Sequence, residues 1–309
     1  MTGPAAPMAG TLLLAAYAVA AGFGAPAVLC RAWAGRSPRI ALGLWLTLAA
    51  SWLAAVALAG IALAVPLTWH AASGPAAANL TGRTPAVVAG SVLTAAVVLR
   101  AAWCLAGGLA AARREQRAHA AFLAAAGRPD QALGAVVLDG EAPACYCLPR
   151  GRHRVVISAG ALSRLSPGQL QAVLAHERAH LRGHHHRMLG AAAALARAFP
   201  GIPLLARAPG ELAVLAETTA DDAAARRHDP ADLAAALVTL ADVGRHTTAL
   251  AAGGPAAIAR IQRLLAPPRR RGLQARTTRL AAGLAALAIP AAVASLPLAV
   301  AACGVITRV

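Results

Sequence analysis

Apolar residues fall along this chain in two different rhythms. Four long stretches are almost uninterrupted: Thr11 to Cys30, Ile40 to Leu67, Pro85 to about Leu105, and Leu280 to Cys303. At roughly 1.5 Å per helical residue each is long enough to cross a bilayer, and the second would tilt or extend past it. Pro290 and Pro297 are tolerable inside a spanning helix. The first stretch has no basic residue before it, so it reads as a retained span rather than a cleaved leader. Between the third and fourth stretches the pattern breaks into shorter pieces. Ala106 to Ala126 reads as a helix leaving the membrane, stopped by Gly127-Arg128-Pro129-Asp130. Gly134 to Asp139, Ala144 to Leu148 and Val155 to Ser158 are short, β-rich and bounded by Gly and Pro, with Pro149 to His153 as a turn. Helical periodicity then returns. Ser166-Pro167-Gly168-Gln169 is a helix start with a capping box, and Leu170, Val173, Leu174 and Leu181 form one apolar face. Met188 to Arg207 is apolar but interrupted, which fits a packed hairpin or a membrane-dipping segment. Glu211 to Arg227, Pro230 to Gly244 and Ile258 to Leu265 complete the helices before the last span.

The expected fold is therefore mainly α: a polytopic membrane protein with four spans and an α+β domain between the third and the fourth. Its regions are 1–112 (three spans), 113–279 (the central domain) and 280–309 (the fourth span and a short tail). Composition agrees, with 58 % hydrophobic and only 3 % aromatic residues. All 29 basic residues are arginine against 12 acidic ones, a net charge of +17. The arginines flank the apolar spans rather than lining one amphipathic face, so they orient a membrane protein and direct nucleic-acid binding is not expected. Arg31, Arg36 and Arg39 fill the first connection, the second holds only Arg83, and arginines abound after the third span and before the fourth. That asymmetry places the central domain in the cytoplasm and both termini outside the cell membrane. Arg100, near the cytoplasmic end of the third span, is expected to snorkel.

Chemistry concentrates in the helix after Ser166. His176-Glu177-Arg178-Ala179-His180 puts two imidazoles one turn apart on one face, able to grip a single metal ion. Glu177 can reach a metal-bound water without ligating the metal, which suits a catalytic base. A catalytic zinc wants a third protein ligand. Glu217, in a cluster of scarce acidic residues, is the best candidate, and Asp221 one turn on can hydrogen-bond a ligating imidazole. The triple His184-His185-His186 reads as a solvated helix end. Cys145 and Cys147 read as buried strand residues, although a Cys-x-Cys pair could bind metal, and no disulfide framework is expected of five cysteines. Ala144-Cys145-Tyr146-Cys147 is a candidate edge strand to hold an extended substrate, or else an ordinary internal strand. His228 and His246 are candidate donors to an oxyanion.

These paired motifs, with the segment Ser158-Ala159-Gly160-Ala161-Leu162, resemble the gluzincin membrane peptidases. The broad relatives are HtpX-type proteases, and the closer likeness is to the BlaR/MecR-type family, which places its zinc domain between the third and fourth spans. The resemblance implies one Zn²⁺ per chain on His176, His180 and Glu217, with Glu177 as base. It also implies hydrolysis of a protein or peptide substrate in the cytoplasm or bilayer, with regulated cleavage of a transcriptional repressor as one such role. The β-lactam receptors carry a sensor domain after the last span, whereas this chain ends six residues after Cys303. Substrate identity, activating signal and oligomeric state are not legible. The alternatives are a catalytically silent metal-binding signalling or scaffold protein, which would have no need of Glu177, and a transporter, which the absence of repeated halves disfavours.

Overall fold

The computed structural model describes residues 5–30, 37–71, 84–148, 155–243 and 254–266, together with 277, 281, 284 and 288. The expected fourth span, 280–303, lies outside the described residues except for three helical positions, and the Pro149 to His153 turn and His246 lie outside them altogether. Among the described residues, three helices are long and apolar enough to cross a membrane, over Thr11–Leu29, Pro38–Leu63 and Val87–Ala126. The chain forms two compact units.

The first unit gathers the described residues of Met1–Ala106 with Ala194–Pro209. α1 (Ala5–Val19) passes through a π-helical turn (Ala20–Gly24) into α2 (Ala25–Leu29), and α3 (Pro38–Ala71) runs beside it. The Tyr17 hydroxyl meets Ser51 Oγ at 2.6 Å, a polar pair between two apolar helices. α3 meets α4 (Thr84–Ala126) through small residues. A Cβ on Gly60 would lie 2.8 Å from the Gly90 carbonyl oxygen, and one on Gly90 equally close to that of Gly60, so only glycine lets these backbones approach. Arg100 on α4 donates to the carbonyl of Ala198. That carbonyl closes α7 (His185–Ala198), so the cation meets the negative end of a helix. Arg100 thus has a defined protein partner instead of simply reaching for the interface. The interrupted stretch from Met188 resolves into the end of α7, a turn over Phe199–Ile202, and α8 (Pro203–Ala224). α8 therefore begins eight residues before the expected Glu211, with Pro203 at its start and Pro209 accommodated inside.

The second unit comprises Gly107–Ala193 and Gly210–Arg270. Its sheet has the order β1-β2-β4-β3, with β1 Gly127–Asp130, β2 Ala135–Leu138, β3 Cys145–Cys147 and β4 Val155–Ser158. β1 was not expected, because Gly127 to Asp130 reads as a helix stop. It pairs antiparallel with β2 at the edge of the sheet, where Pro129 costs no central ladder bond. β2 and β4 are parallel, and β3 is antiparallel to β4 at the opposite edge. Central β4 is buried throughout, and its side chains alternate. Val155 and Ile157 join the core built on α6 (Pro167–Arg182), while Val156 packs with Leu123 of α4. α5 (Ala159–Arg164) follows β4 directly, capped by Ser158, whose Oγ accepts from the amides of Ala161 and Ala144. α9 (Pro230–Val243) and α10 (Gly254–Leu265) close the core with Leu233 and Leu264.

Candidate metal centre

α6 starts where the capping box sets it: Ser166 Oγ accepts from the Gln169 amide, the Gln169 side chain accepts from the Ser166 amide, and Pro167 occupies the first turn. Ala172, Val173, Leu174, Ala175 and Ala179 bury most of the circumference of the helix, which holds it in the core. Arg178, inside the motif, donates to the Leu133 carbonyl at 2.6 Å and ties α6 to the β1–β2 turn. So constrained, α6 presents His176 and His180 side by side with their Nε2 atoms 3.1 Å apart. α8 brings Glu217 against both. Its Oε2 lies 3.5 Å from His176 Nε2, and its Oε1 lies 3.4 Å from His180 Nε2. One donor atom from each of the three falls within 4.8 Å of the others, the only such group of three or more among the described residues.

Both imidazoles are supported from behind. His176 Nδ1 lies 2.9 Å from Asp221 Oδ1, a close contact that is too oblique for an aligned hydrogen bond. His180 Nδ1 lies 3.0 Å from His185 Nδ1. Asp221 is itself clamped: Arg260 of α10 donates to both its oxygens at 2.8 Å, and the same guanidinium reaches Glu217 Oε2 at 2.9 Å. Arg263 donates to Asp222 one turn further along. α10 therefore organises the acidic cluster of α8.

The electrostatics favour positive charge where the three donors meet. Burial would lower the His176 pKa, but the contacts with Asp221 and Glu217 raise it to about 9. Burial would raise Glu217, yet the two imidazoles and Arg260 hold its carboxyl well below the ordinary range. Asp221 is likewise held ionised against its burial, chiefly by Arg260. Two imidazole nitrogens and a carboxylate oxygen aimed at one point, each backed by a second group, fit a zinc-type divalent cation. Glu177 behaves differently. Burial pushes its pKa up, only partly opposed by the nearby histidines, as suits a group that must accept a proton. The Cys147 thiol faces Glu177, and burial together with that carboxylate pushes it up to about 12.

The residues singled out in the sequence have places here, except His246, which lies outside the described residues. His176, His180 and Glu217 meet, Asp221 stands behind His176, and Glu177 lies beside them. Cys145 packs on the α6 side of the sheet and Tyr146 on the other, where its hydroxyl is 2.8 Å from His119 Nε2. Ala144 precedes β3 and accepts from the Ser158 amide. The two cysteines are half-buried rather than buried, as β3 is an edge. His228 lies in the turn after α8, its amide bonded to the Ala224 carbonyl. Two contributors were missed: His185 is buried rather than solvated, and Arg260 comes from 39 residues beyond Asp221. Cys147, expected only as an edge-strand residue, faces the base. Arg260 did leave a trace: it is next to Ile261 and one turn before Leu264, both core residues, so a cation there needs a carboxylate partner.

Comparison with known families places a match to the family model of peptidase family M48 over residues 109–267, just over half of the chain. No curated protein and no solved structure matches the chain.

Proposed function

Because the chain belongs to peptidase family M48, we propose that it is a zinc-dependent endopeptidase of the cell membrane, one Zn²⁺ per chain on His176, His180 and Glu217. The observation that carries this reading is the convergence of those three donors beside a half-buried carboxylate that is not among them. Zinc bound there would supply Lewis acidity, polarising a scissile carbonyl and letting water ionise near neutral pH. Glu177 accepts the proton of the attacking water and returns it to the departing amine. Asp221 stands behind His176, and Arg260 holds Glu217 and Asp221. The outer side of β3 offers main-chain groups to which an extended peptide can add as a further strand.

The finer assignment follows the resemblance to BlaR/MecR-type peptidases: four spans, the second unit in the cytoplasm, and cleavage of cytoplasmic or membrane proteins, a transcriptional repressor among them. The arginine distribution supports the orientation. Reporter fusions after Arg128 and after Val309 should report opposite sides of the membrane, the first cytoplasmic. An exterior signal from the Arg128 fusion would reverse the orientation and remove cytoplasmic proteins from the substrate class.

Metal content tests the ligand set. The purified protein should carry about one zinc per chain. Glu217→Ala should lose most of it, whereas Glu211→Ala, on the same helix, should keep it. Equal zinc in the two variants would refute Glu217 as a ligand.

A further inference from the structure

The turn that follows His180 is built around one side chain. Gly183 caps α6 at φ −77°, a conformation open to any residue, yet a Cβ there would lie 2.3 Å from Nε2 and 2.6 Å from Cδ2 of His185. His184 adopts φ 50°, the left-handed region, which costs a residue other than glycine of the order of 1 kcal/mol. Together these features turn the chain back on itself. The outer two histidines of the triplet are less buried, but His185 is only 4 % exposed. Its ring stands edge-on to that of His180 at 88°, with Nδ1 facing Nδ1 at 3.0 Å. A solvated helix end requires neither the glycine nor the strained backbone, and it would not bury an imidazole. The arrangement is explained if its purpose is to set a hydrogen-bonding nitrogen against His180.

We propose that His185 is a positioning residue for His180, accepting at Nδ1 the proton that His180 carries on its own Nδ1, and so fixing the tautomer and ring plane that leave His180 Nε2 free to bind metal. The proposal rests on the reading of His180 as a ligand through Nε2, the atom that faces His176 and Glu217. A ring nitrogen that binds metal must be unprotonated, which puts the proton of a neutral imidazole on the other nitrogen. That nitrogen is the one His185 faces. His176 Nδ1 likewise has a polar group behind it, the Asp221 carboxylate at 2.9 Å, though in an oblique contact. One ligand is thus backed by a carboxylate and the other by an imidazole, which supports both rings without adding a second buried negative charge.

The test uses the full-length protein in detergent and Zn²⁺ alone as the probe, its affinity measured by competition with a chelating dye. His185→Phe keeps the ring volume and removes the acceptor. His185→Asn loses volume and keeps a polar group near the position of Nδ1. The proposal expects His185→Phe to bind zinc 10–100-fold more weakly, the usual effect of losing such a partner, and His185→Asn to recover most of the affinity. Gly183→Ala, whose added methyl must displace the His185 ring, should weaken zinc binding in the same direction while the backbone at φ −77° accepts it. A packing role would reverse the order, with Phe tolerated and Asn not, and that result overturns the proposal. If His185→Phe does not fold, Gly183→Ala decides, and wild-type affinity in that variant also overturns it. The wild-type affinity itself tests the ligand reading. Only the ratios between variants test His185.

Discussion

Glu177→Gln should leave zinc content near one per chain and remove peptide hydrolysis. The amide keeps the shape of the carboxylate and its contact with Cys147, and His176, His180 and Glu217 are untouched. What disappears is the proton acceptor for the attacking water, a contribution of about 10²–10⁴-fold. Glu177 is well placed to make it, since burial raises its pKa towards the range in which a carboxylate both takes and returns a proton. Hydrolysis is measured on a casein-type substrate or on the chain itself, beside the metal content of the same preparation. Wild-type turnover by zinc-loaded Glu177→Gln would rule out the mechanism. A zinc-bound wild-type protein whose structure Glu177→Gln leaves intact, and which cleaves no more than the variant, would favour a silent metal-binding scaffold.

The largest effect on stability is expected at Asp221. Its side chain is 1 % exposed, accepts two hydrogen bonds from Arg260 and touches His176. Removing one partner of such a pair leaves a desolvated charge behind, a loss of about 3–5 kcal/mol. Arg260 keeps its contact with Glu217, which puts Asp221→Ala at the lower end, about 3 kcal/mol. For a unit of this size that lowers the melting temperature by roughly 10 °C. Zinc should bind more weakly as well, since His176 loses the group behind it. The two effects separate in the double variant Asp221→Leu, Arg260→Met. Two apolar residues of suitable volume restore packing around the former pair and leave only the half-exposed Glu217 without its guanidinium, so stability returns in part. Zinc affinity does not, because His176 Nδ1 still lacks its carboxylate and Glu217 has lost Arg260. A melting temperature for Asp221→Ala within a degree of wild type would show that the clamp contributes little.

What was legible in the sequence divides along a physical line. The long apolar runs announce helices of membrane length because nothing in them suits water, and three of them are such helices in the structure. α6 was readable to the residue at its start, because a capping box is a local device in which four consecutive residues satisfy one another. The two imidazoles on one face follow from helical pitch alone, and so does the pairing of Glu217 with Asp221. β1 was hidden because Gly127 and Pro129 are poor strand formers, and only the neighbouring β2 makes a strand of them. α8 was started too late because Met188 to Arg207 reads as interrupted, whereas the helix begins at Pro203 and accommodates Pro209. The supporting groups were the least visible. Arg260 reaches Asp221 only through the packing of α10, and His185 reaches His180 only because Gly183 and His184 bend the chain. The His185 contact has no period or spacing to betray it, and the spacing of Arg260 shows a cation at the core but not which carboxylate it meets.

The central claim is that two histidines and a carboxylate, with no cysteine, hold one zinc. X-ray absorption at the zinc edge of the purified wild-type protein tests it most directly. The account predicts a first shell of nitrogen and oxygen at about 2.0–2.2 Å, with the outer scattering of two imidazoles. A sulfur shell at about 2.3 Å would place Cys145 or Cys147 on the metal and contradict it.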